Sequence, residues 1–297
     1  MTTLARIWPA AAHYGNWQYR SRPTLWYALL MKVATTLACL LALGCGSSSS
    51  DSEPTAAVAQ VPATEVPAEP IEAETNVIDA AVASPERPEA DRDRDAHRKP
   101  AETMRLAGIA PGATVVDLMG GTGYYSELFA RAVGPEGKVF VQNTKWVLEK
   151  FAEGPLTERL TRLGMDNVSR WDKDLDALEL PEASVDVAFM GLFYHDAFWL
   201  EVDRAKMNAG ILAGLKPGGI FLLTDHHAEA GSKDRDVKTL HRIDAEIVKA
   251  ELIAAGFEFV EASEILSHSD DARTINVFDP AIRGKTDRFV YKFRKPN

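Results

Sequence analysis

The chain has 297 residues, of which 46% are hydrophobic and 26% are charged, and it carries a formal net charge of −10. This composition is that of a globular protein, and the length allows one large domain or two small ones. Clustered Lys and Arg side chains are needed to bind a nucleic-acid backbone, so the acidic balance leads us to expect no nucleic-acid partner. Both cysteines, Cys39 and Cys45, precede residue 46, so the rest of the chain has no disulfide framework, thiolate metal site or cysteine nucleophile.

An N-terminal hydrophobic segment is typical of a leader. Residues 31–50 read MKVATTLACLLALGCGSSSS. A positive start precedes an apolar run, Val33 to Leu43, that has the length of a signal peptide and is short for a membrane span. Residues 42–45, Ala-Leu-Gly-Cys, resemble the lipobox of bacterial lipoproteins. The resemblance implies cleavage before Cys45 and a lipid on that cysteine, which predicts a membrane-anchored lipoprotein of a bacterial envelope.

Two alternatives for this leader, residues 1–45, stay open. One is a single-pass anchor from about Leu25 to Leu43, interrupted by Lys32. The other is a cytoplasmic protein that does not use the leader. Residues 1–30 do not resemble an export signal, so Met31 is a candidate for the true start of the protein.

Residues 46–90 are predicted to form a disordered linker. Ser, Pro, Ala and Glu dominate this segment, and it contains no aromatic residue. Such a composition cannot bury enough apolar surface to offset the entropy lost on ordering. We therefore expect a flexible spacer between the anchor and a single folded domain at 91–297.

Strands and helices alternate in the folded part. Apolar runs bounded by turn residues predict strands, and apolar residues at helical spacing predict the helices between them. The predicted strands are 111–119, 138–142, 167–174, 184–191, 220–227, 257–266 and 287–293, and the predicted helices are 125–132, 145–152, 156–163, 203–215 and 237–255. This order predicts an α/β fold: a Rossmann-like, doubly wound, mostly parallel sheet of about seven strands with an antiparallel edge. Ligands of such sheets bind beyond the carboxyl ends of the strands.

A glycine cluster follows the first strand in VVDLMGGTGYYSELFA, residues 115–130. Glycines at such a turn let a ligand lie against the main chain. The spacing matches neither a dinucleotide fingerprint nor a Walker loop. It resembles motif I of the class I S-adenosylmethionine-dependent methyltransferases, D-x-G-x-G-x-G: Asp117, Gly121 and Gly123 match, Met119 replaces the first glycine, and Gly120 lies between. The resemblance implies that the glycines face the methionine part and ribose of the cofactor and that Asp117 helps to hold its amino group.

Further stretches resemble the same family in the same order. Asn143 ends the second strand, where the family usually has an acidic residue that accepts the ribose hydroxyls. The segment KDLDALELPEASVDVAF places Asp174 at the position that binds the adenine amine, and LKPGG precedes the fifth strand. The resemblance implies S-adenosylmethionine as cofactor. The implied cofactor-binding residues are Asp117, Met119, Gly120, Gly121, Gly123, Tyr124, Asn143, Asp174 and Phe193.

The fourth and fifth strands end in polar residues that could act on a methyl acceptor. The candidate catalytic residues are Tyr194, His195, Asp196 and His226. A histidine here could serve as a general base, because its pKa lies near neutral pH, and Asp196 or Asp225 could orient it. These residues could equally cap or solvate their loops. The histidine spacing matches no zinc signature, so no metal site is predicted.

Two further groups of residues can be explained without a role in binding or catalysis. Arg283, Lys285 and Arg288 form a basic cluster that could hold an anionic substrate or cofactor carboxylate, although a solvated loop explains it as well. His241 and Arg242 are expected to be a surface pair on the helix predicted at 237–255.

Two functional hypotheses follow. The first is a methyltransferase acting on a small-molecule acceptor, with the protein aligning acceptor, methyl and sulfur. The second is a membrane-tethered, non-catalytic nucleoside-binding module with a methyltransferase fold. An exported domain would leave the cytosol, where S-adenosylmethionine is made. Separation from the cofactor supply favours the second hypothesis. A nicotinamide-dependent oxidoreductase is a third alternative, but the glycine spacing does not support it.

Overall fold

A seven-stranded sheet organises the protein, in the order β3-β2-β1-β4-β5-β7-β6. The computed structural model describes residues 77–297. The first five strands are parallel, and β7 pairs antiparallel with both β5 and β6. This arrangement confirms the predicted fold class with its antiparallel edge. The strands are β1 Thr114–Leu118, β2 Lys138–Asn143, β3 Val168–Asp172, β4 Val185–Gly191, β5 Leu215–His226, β6 Glu258–Ser263 and β7 Arg288–Arg294.

Helices cover both faces of this sheet. They are α1 77–83, α2 Glu89–Arg92, α3 Asp95–Arg98, α4 Pro100–Ala107, α5 Tyr124–Val133, α6 Lys145–Val147, α7 Glu153–Leu163, α8 Tyr194–Trp199, α9 Arg204–Gly214 and α10 Ala245–Ala254. A π-helical turn, Leu148–Ala152, joins α6 to α7, and a 3-10 turn, Leu175–Ala177, follows β3. Within residues 77–297, no helix has both the length and the apolar character needed to cross a membrane.

Alternating side chains of the interior strand β1 belong to two different layers of the core. Val116 and Leu118 of β1 belong to the layer under α7, α9 and α10, whereas Val115 belongs to the layer under α4 and α5. Successive side chains of a strand point to opposite faces, so a strand covered on both faces is apolar throughout. The apolar run that identified β1 in the sequence therefore reflects its burial on both sides.

The predicted linker extends too far toward the folded domain. Residues 77–90 include helix α1, and Ile78 and Ala81 of that helix are buried in the layer under α5. The Ser, Pro, Ala and Glu content of 46–90 concealed this short apolar face. The described domain therefore begins by residue 77 rather than at 91. The leader, the lipobox at Cys45 and the remainder of the linker lie outside the described residues.

The helix predicted at 237–255 begins later than expected. The structure has α10 at Ala245–Ala254, and the side chain of Asp244 caps it by accepting a hydrogen bond from the Glu246 backbone N–H. Side chains such as aspartate favour this position because they satisfy a free N–H of the first turn. Residues 237–244 are instead a loop that crosses the end of β5, where His227 forms a bridge with Ile243.

Candidate active site

The glycine loop after β1 is held by β2 as well as by its own turn, in which the Gly123 N–H donates to the Gly120 carbonyl (2.9 Å). The Met119 backbone N–H donates to the side-chain oxygen of Gln142 (2.9 Å), and the Gly120 N–H donates to the Gln142 carbonyl (3.0 Å). Met119 has a left-handed backbone (φ 52°), and its side chain is buried in the layer under α7. Met119 is therefore part of the core as well as part of the loop, and exchanging it for glycine would remove core contacts.

Asp117 lies beneath this loop with its carboxyl group enclosed. Its Oδ2 accepts a hydrogen bond from the Ser126 hydroxyl of α5 (2.5 Å). Burial raises the pKa of Asp117 to about 7, because desolvation outweighs the stabilising bond from Ser126. A Cβ added at Gly120 would lie 2.8 Å from the same oxygen. Gly120 is therefore needed where the chain passes over the carboxyl, which explains this glycine although the family pattern has none there.

Asn143 holds the loop instead of presenting a free side chain to a ribose. Its Oδ1 accepts from the Gly121 N–H (2.9 Å), and its Nδ2 donates to the Gly121 carbonyl (3.1 Å). An amide can form this reciprocal pair, whereas a carboxylate could accept but not donate. The side chain is also fully buried. The geometry therefore favours a structural role for Asn143 over the ribose-binding role that the resemblance implied.

Gly123 is approached by Arg159 of α7. A Cβ at Gly123 (φ 84°) would lie 2.9 Å from the Arg159 Cδ atom. Arg159 donates to the Thr122 carbonyl (2.6 Å) and pairs with Glu127 (2.5 Å). Glu127 is buried and pairs with two further arginines, Arg131 and Arg162. This ion cluster, rather than a ligand, accounts for the close approach to Gly123.

Two tyrosines assigned to the site are used elsewhere. The Tyr124 hydroxyl donates to Asp95 (2.6 Å), and the guanidinium of Arg98 lies 4.7 Å from its ring centre. The Tyr194 hydroxyl donates to Glu251 of α10 (2.9 Å) and is fully buried. Both hydroxyls therefore join helices to the domain, and neither Tyr124 as a cofactor contact nor Tyr194 as a catalytic group fits this geometry.

Asp174 and Phe193 occupy positions compatible with the resemblance. Asp174 is exposed just after β3, and it precedes the 3-10 turn without capping it through its side chain. Phe193 is half-buried at the end of β4, directly before α8. Leu178, which directly follows the 3-10 turn, is buried.

A cluster of imidazole and carboxylate groups lies at the ends of β4 and β5. The Asp225 carboxylate contacts His195 Nδ1 (2.8 Å) and accepts from the His195 backbone N–H (2.8 Å). The other ring nitrogen, His195 Nε2, lies 3.1 Å from Asp196 Oδ1 and 3.3 Å from His241 Nδ1. The structure thus brings together His195, Asp196 and Asp225, which the sequence predicts at the ends of these two strands.

The electrostatic environments of the two catalytic histidine candidates differ. Burial lowers the pKa of His195, but the carboxylates of Asp225 and Asp196 outweigh it and raise the pKa to about 10. For His226, burial and the nearby Arg288 charge lower the pKa well below its usual value. His226 Nδ1 also lies 2.8 Å from the Thr286 hydroxyl oxygen. His195 is therefore protonated at neutral pH and unsuited to act as a general base, while His226 is neutral but only weakly basic.

Sequence reasoning missed His241. It was assigned to a helix surface, yet it lies in the loop before α10 with a left-handed backbone (φ 53°) and joins the cluster of His195. Its neighbour Arg242 is fully buried and pairs with Asp271 (2.9 Å). The signal that could have found this was Asp244, a helix-capping residue that ends the loop three residues after His241.

Arg288 was also misassigned. It begins β7 opposite His226 and is 5% exposed, so it is not part of a solvated loop. Its guanidinium donates to the carbonyls of His97 and Gly284 and to the Thr286 hydroxyl oxygen, and the described residues supply no carboxylate partner within ion-pair distance. Burial lowers its pKa to about 10. A small cavity at this point is lined by Arg98, Tyr125, Gly191, Leu192, Thr224, Leu266 and Arg288.

The residues at the carboxyl ends of the parallel strands fit S-adenosylmethionine in part. The turn at Gly120 and Gly121 is partly exposed, the Asp117 carboxyl lies enclosed directly beneath that turn, and Asp174 provides an exposed acceptor for an adenine amine. The position usually occupied by a ribose-binding carboxylate is taken by Asn143, which is already bonded. The residues therefore fit the amino-acid and adenine ends of the cofactor better than its ribose.

Comparisons with known proteins agree with this assignment. No family model matches the chain. A stretch of 126 residues is 32% identical to the ubiquinone/menaquinone biosynthesis C-methyltransferase UbiE of Ectopseudomonas mendocina, covering 41% of this chain and 45% of that protein. A stretch of 143 residues is 29% identical to the Escherichia coli protein of the same name, covering 47% of this chain and 54% of that protein. The chain thus spans about half the length of the curated relatives it matches.

Solved structures share the fold at low sequence identity. A SAM-dependent methyltransferase from Aquifex aeolicus is 20% identical with a TM-score of 0.50, covering 66% of this chain and 89% of that one. The [4+2]-cyclase SpnF is 20% identical with a TM-score of 0.51, covering 68% and 81% of the two chains. The second name shows that one fold can host different reactions. The chain is thus similar in sequence to C-methyltransferases over about half of their length, and its described residues, 77–297, have the fold of solved S-adenosylmethionine-dependent methyltransferases.

Proposed function

We propose that this protein is an S-adenosylmethionine-dependent methyltransferase that transfers a methyl group to a small-molecule acceptor. The observation that carries the proposal is the buried carboxyl of Asp117 beneath the turn at Gly120, at the end of β1, an interior strand of a methyltransferase fold. The curated relatives are named as C-methyltransferases, which supports the same reaction type.

The bound cofactor would supply an electrophilic methyl group on its sulfonium. The tasks of the protein are to hold that group and to align the acceptor with it, and alignment alone accounts for a large part of the rate of such reactions. Asp117 would hold the cofactor amino group, and Asp174 the adenine amine. The acceptor would stand near Phe193 and the polar start of α8, because ligands of this fold bind beyond the carboxyl ends of the strands.

Calorimetry with the full-length chain tests cofactor binding. We expect S-adenosylmethionine to bind to the wild-type protein, and Asp117→Ala and Asp174→Ala each to weaken binding by tenfold or more. Asp176→Ala is the matched control, since Asp176 is an exposed carboxylate in the same loop. Absence of binding at millimolar ligand would refute the proposal.

Catalysis is tested separately from binding. Incubation with methyl-labelled cofactor and extracts of small molecules and lipids should yield a labelled product, with stoichiometric release of S-adenosylhomocysteine. Cofactor binding without any labelled product would instead indicate the non-catalytic nucleoside-binding module.

We also propose that Cys45 carries a lipid that anchors the protein to a bacterial envelope membrane. The support is the apolar run at 33–43 followed by Ala-Leu-Gly-Cys. Labelling of cells with a fatty-acid analogue should mark the wild-type protein in the membrane fraction and not mark Cys45→Ser. Label that persists in Cys45→Ser, or no label in the wild-type protein, would reject lipidation at this residue.

A further inference from the structure

We propose that His195, Asp196 and His241 form a binding site for one divalent first-row transition-metal ion at the ends of β4 and β5. This site, called here the His-Asp-His centre, is independent of whether the protein transfers methyl groups. Three potential ligand atoms converge on one point: His195 Nε2, Asp196 Oδ1 and His241 Nδ1. The distances between these atoms, the hydrogen bonds that orient the ligands and the solvent exposure of the centre each favour a metal.

The spacing of the three atoms matches metal coordination. The distances are 3.1 Å between His195 Nε2 and Asp196 Oδ1, 3.3 Å between His241 Nδ1 and Asp196 Oδ1, and 3.3 Å between the two nitrogens. Ligands at tetrahedral angles and zinc bond lengths of about 2.0 to 2.1 Å lie about 3.3 Å apart. A point equidistant from the three atoms lies about 1.9 Å from each, so an ion slightly outside their plane would reach ordinary bond lengths.

The histidine ligand of α8 has the support that metal-binding histidines usually have. The nitrogen that faces away from the centre, His195 Nδ1, contacts Asp225 Oδ1 at 2.8 Å. Asp225 is itself fixed by the backbone N–H groups of His195 (2.8 Å) and His226 (2.7 Å). A carboxylate on the second ring nitrogen fixes the tautomer and orientation of a ligating imidazole. Asp196 is oriented in turn by the Trp199 indole N–H, which donates to its Oδ1 (2.6 Å).

The centre is open on one side. The side chain of His195 is 3% exposed, whereas those of Asp196 and His241 are 16% and 21% exposed. Three protein ligands with one accessible side are typical of sites that keep a position for water or a substrate. Two imidazoles and one carboxylate suit zinc and iron(II), and none of the three ligands is a soft thiolate. Coordination at Nε2 would displace the proton that the His195 ring otherwise holds at neutral pH, so metal binding would release that proton to solvent. The open side would accept an oxygen or nitrogen donor of a small molecule at the same strand ends as the proposed acceptor position.

Local backbone strain at His241 is consistent with this role. His241 adopts φ 53°, a left-handed backbone conformation that is uncommon for residues other than glycine. Such conformations persist where the surrounding structure determines them, and they are frequent at functional sites. The strained residue is the one that brings the third ligand to the centre, across 46 residues of sequence from His195.

Metal analysis of the full-length protein, expressed without a histidine tag, tests the proposal. The protein is stripped with a chelator, incubated with zinc or, without oxygen, with iron(II), and dialysed before elemental analysis. We expect about one equivalent of metal in the wild-type protein and less than one tenth in His241→Gln and in Asp196→Asn. His268→Gln is the matched control, because His268 lies outside the centre, and it should bind as the wild-type protein does.

Cobalt(II) spectra make the test independent of variant folding. Cobalt bound by two imidazoles and a carboxylate should give visible bands of a four- or five-coordinate ion without the near-ultraviolet charge-transfer band of thiolates. A thiolate band would assign the metal to Cys39 and Cys45 instead and overturn the proposal. Less than one tenth of an equivalent in the wild-type protein, or equal binding by folded His241→Gln, would also overturn it.

Discussion

Exchanging Asp117 for asparagine is expected to make the stability of the protein less dependent on pH. Burial raises the pKa of Asp117 to about 7 in the folded protein, against about 3.9 in an unfolded chain. Between these values the folded state keeps a proton that the unfolded state has lost. The free energy of unfolding therefore falls as pH rises through this window and becomes constant above the folded pKa.

The change in the free energy of unfolding follows from the width of the pH interval below the folded pKa of Asp117. One pKa unit corresponds to about 1.4 kcal/mol, and about two units separate pH 5 from the folded pKa, so the wild-type protein should lose about 3 kcal/mol through this group between pH 5 and pH 8. Asp117→Asn keeps the shape of the side chain but cannot ionise. Relative to the wild-type protein, the variant should therefore gain about 3 kcal/mol between these pH values.

Urea unfolding followed by circular dichroism at pH 5 and pH 8 measures this difference. All other titrating groups are common to the two proteins, so their contributions cancel in the comparison. Asp176→Asn, which removes an exposed carboxylate, is the control and should show no pH-dependent difference. If wild type and Asp117→Asn differ by the same free energy at both pH values, Asp117 does not retain its proton and the reasoning is refuted.

Three further substitutions test the loop and its support. Gly120→Ala would place a Cβ 2.8 Å from the Asp117 carboxylate, so we expect a loss of about 1 to 3 kcal/mol in urea unfolding; Gly154→Ala, with no atom within 4 Å of the added Cβ, should lose nothing, and equal losses would contradict the contact. Asn143→Asp replaces the donor to the loop carbonyl with an acceptor, so the free energy of unfolding should fall by about 1 to 3 kcal/mol and the midpoint of thermal unfolding should fall with it. An unchanged midpoint would argue against the reciprocal pair. Glu127→Gln removes the buried anion that three arginines share, but Arg159 keeps Asp91 (2.7 Å) and Arg131 keeps Glu86 (2.8 Å). We therefore expect a cost of about 1 to 3 kcal/mol in urea unfolding, and an unchanged free energy of unfolding would show that the ion cluster contributes little.

The sequence by itself determined the succession of strands and helices along the chain and the position of the glycine loop. These features depend on local signals, namely apolar runs, helical spacing and glycine turns, which act over a few residues. Asp117 and Gly120 could be identified because the loop that carries them is contiguous. The same signals failed at α1, whose apolar face was hidden by its composition, and at 237–244, where apolar spacing suggested helix but Asp244 caps a later one.

Only the tertiary structure decided which polar side chains meet. His241 reaches His195 across 46 residues of sequence because the loop before α10 crosses the end of β5. The side chain of Asn143 is hydrogen-bonded to the Gly121 backbone because β2 lies beside β1 in the sheet. Such contacts depend on which strands are neighbours in the sheet and on packing. The residues on either side of a motif do not encode either of these. The sequence therefore predicted the sheet edge that binds ligands, and the fold determined which residues of that edge are free to bind one.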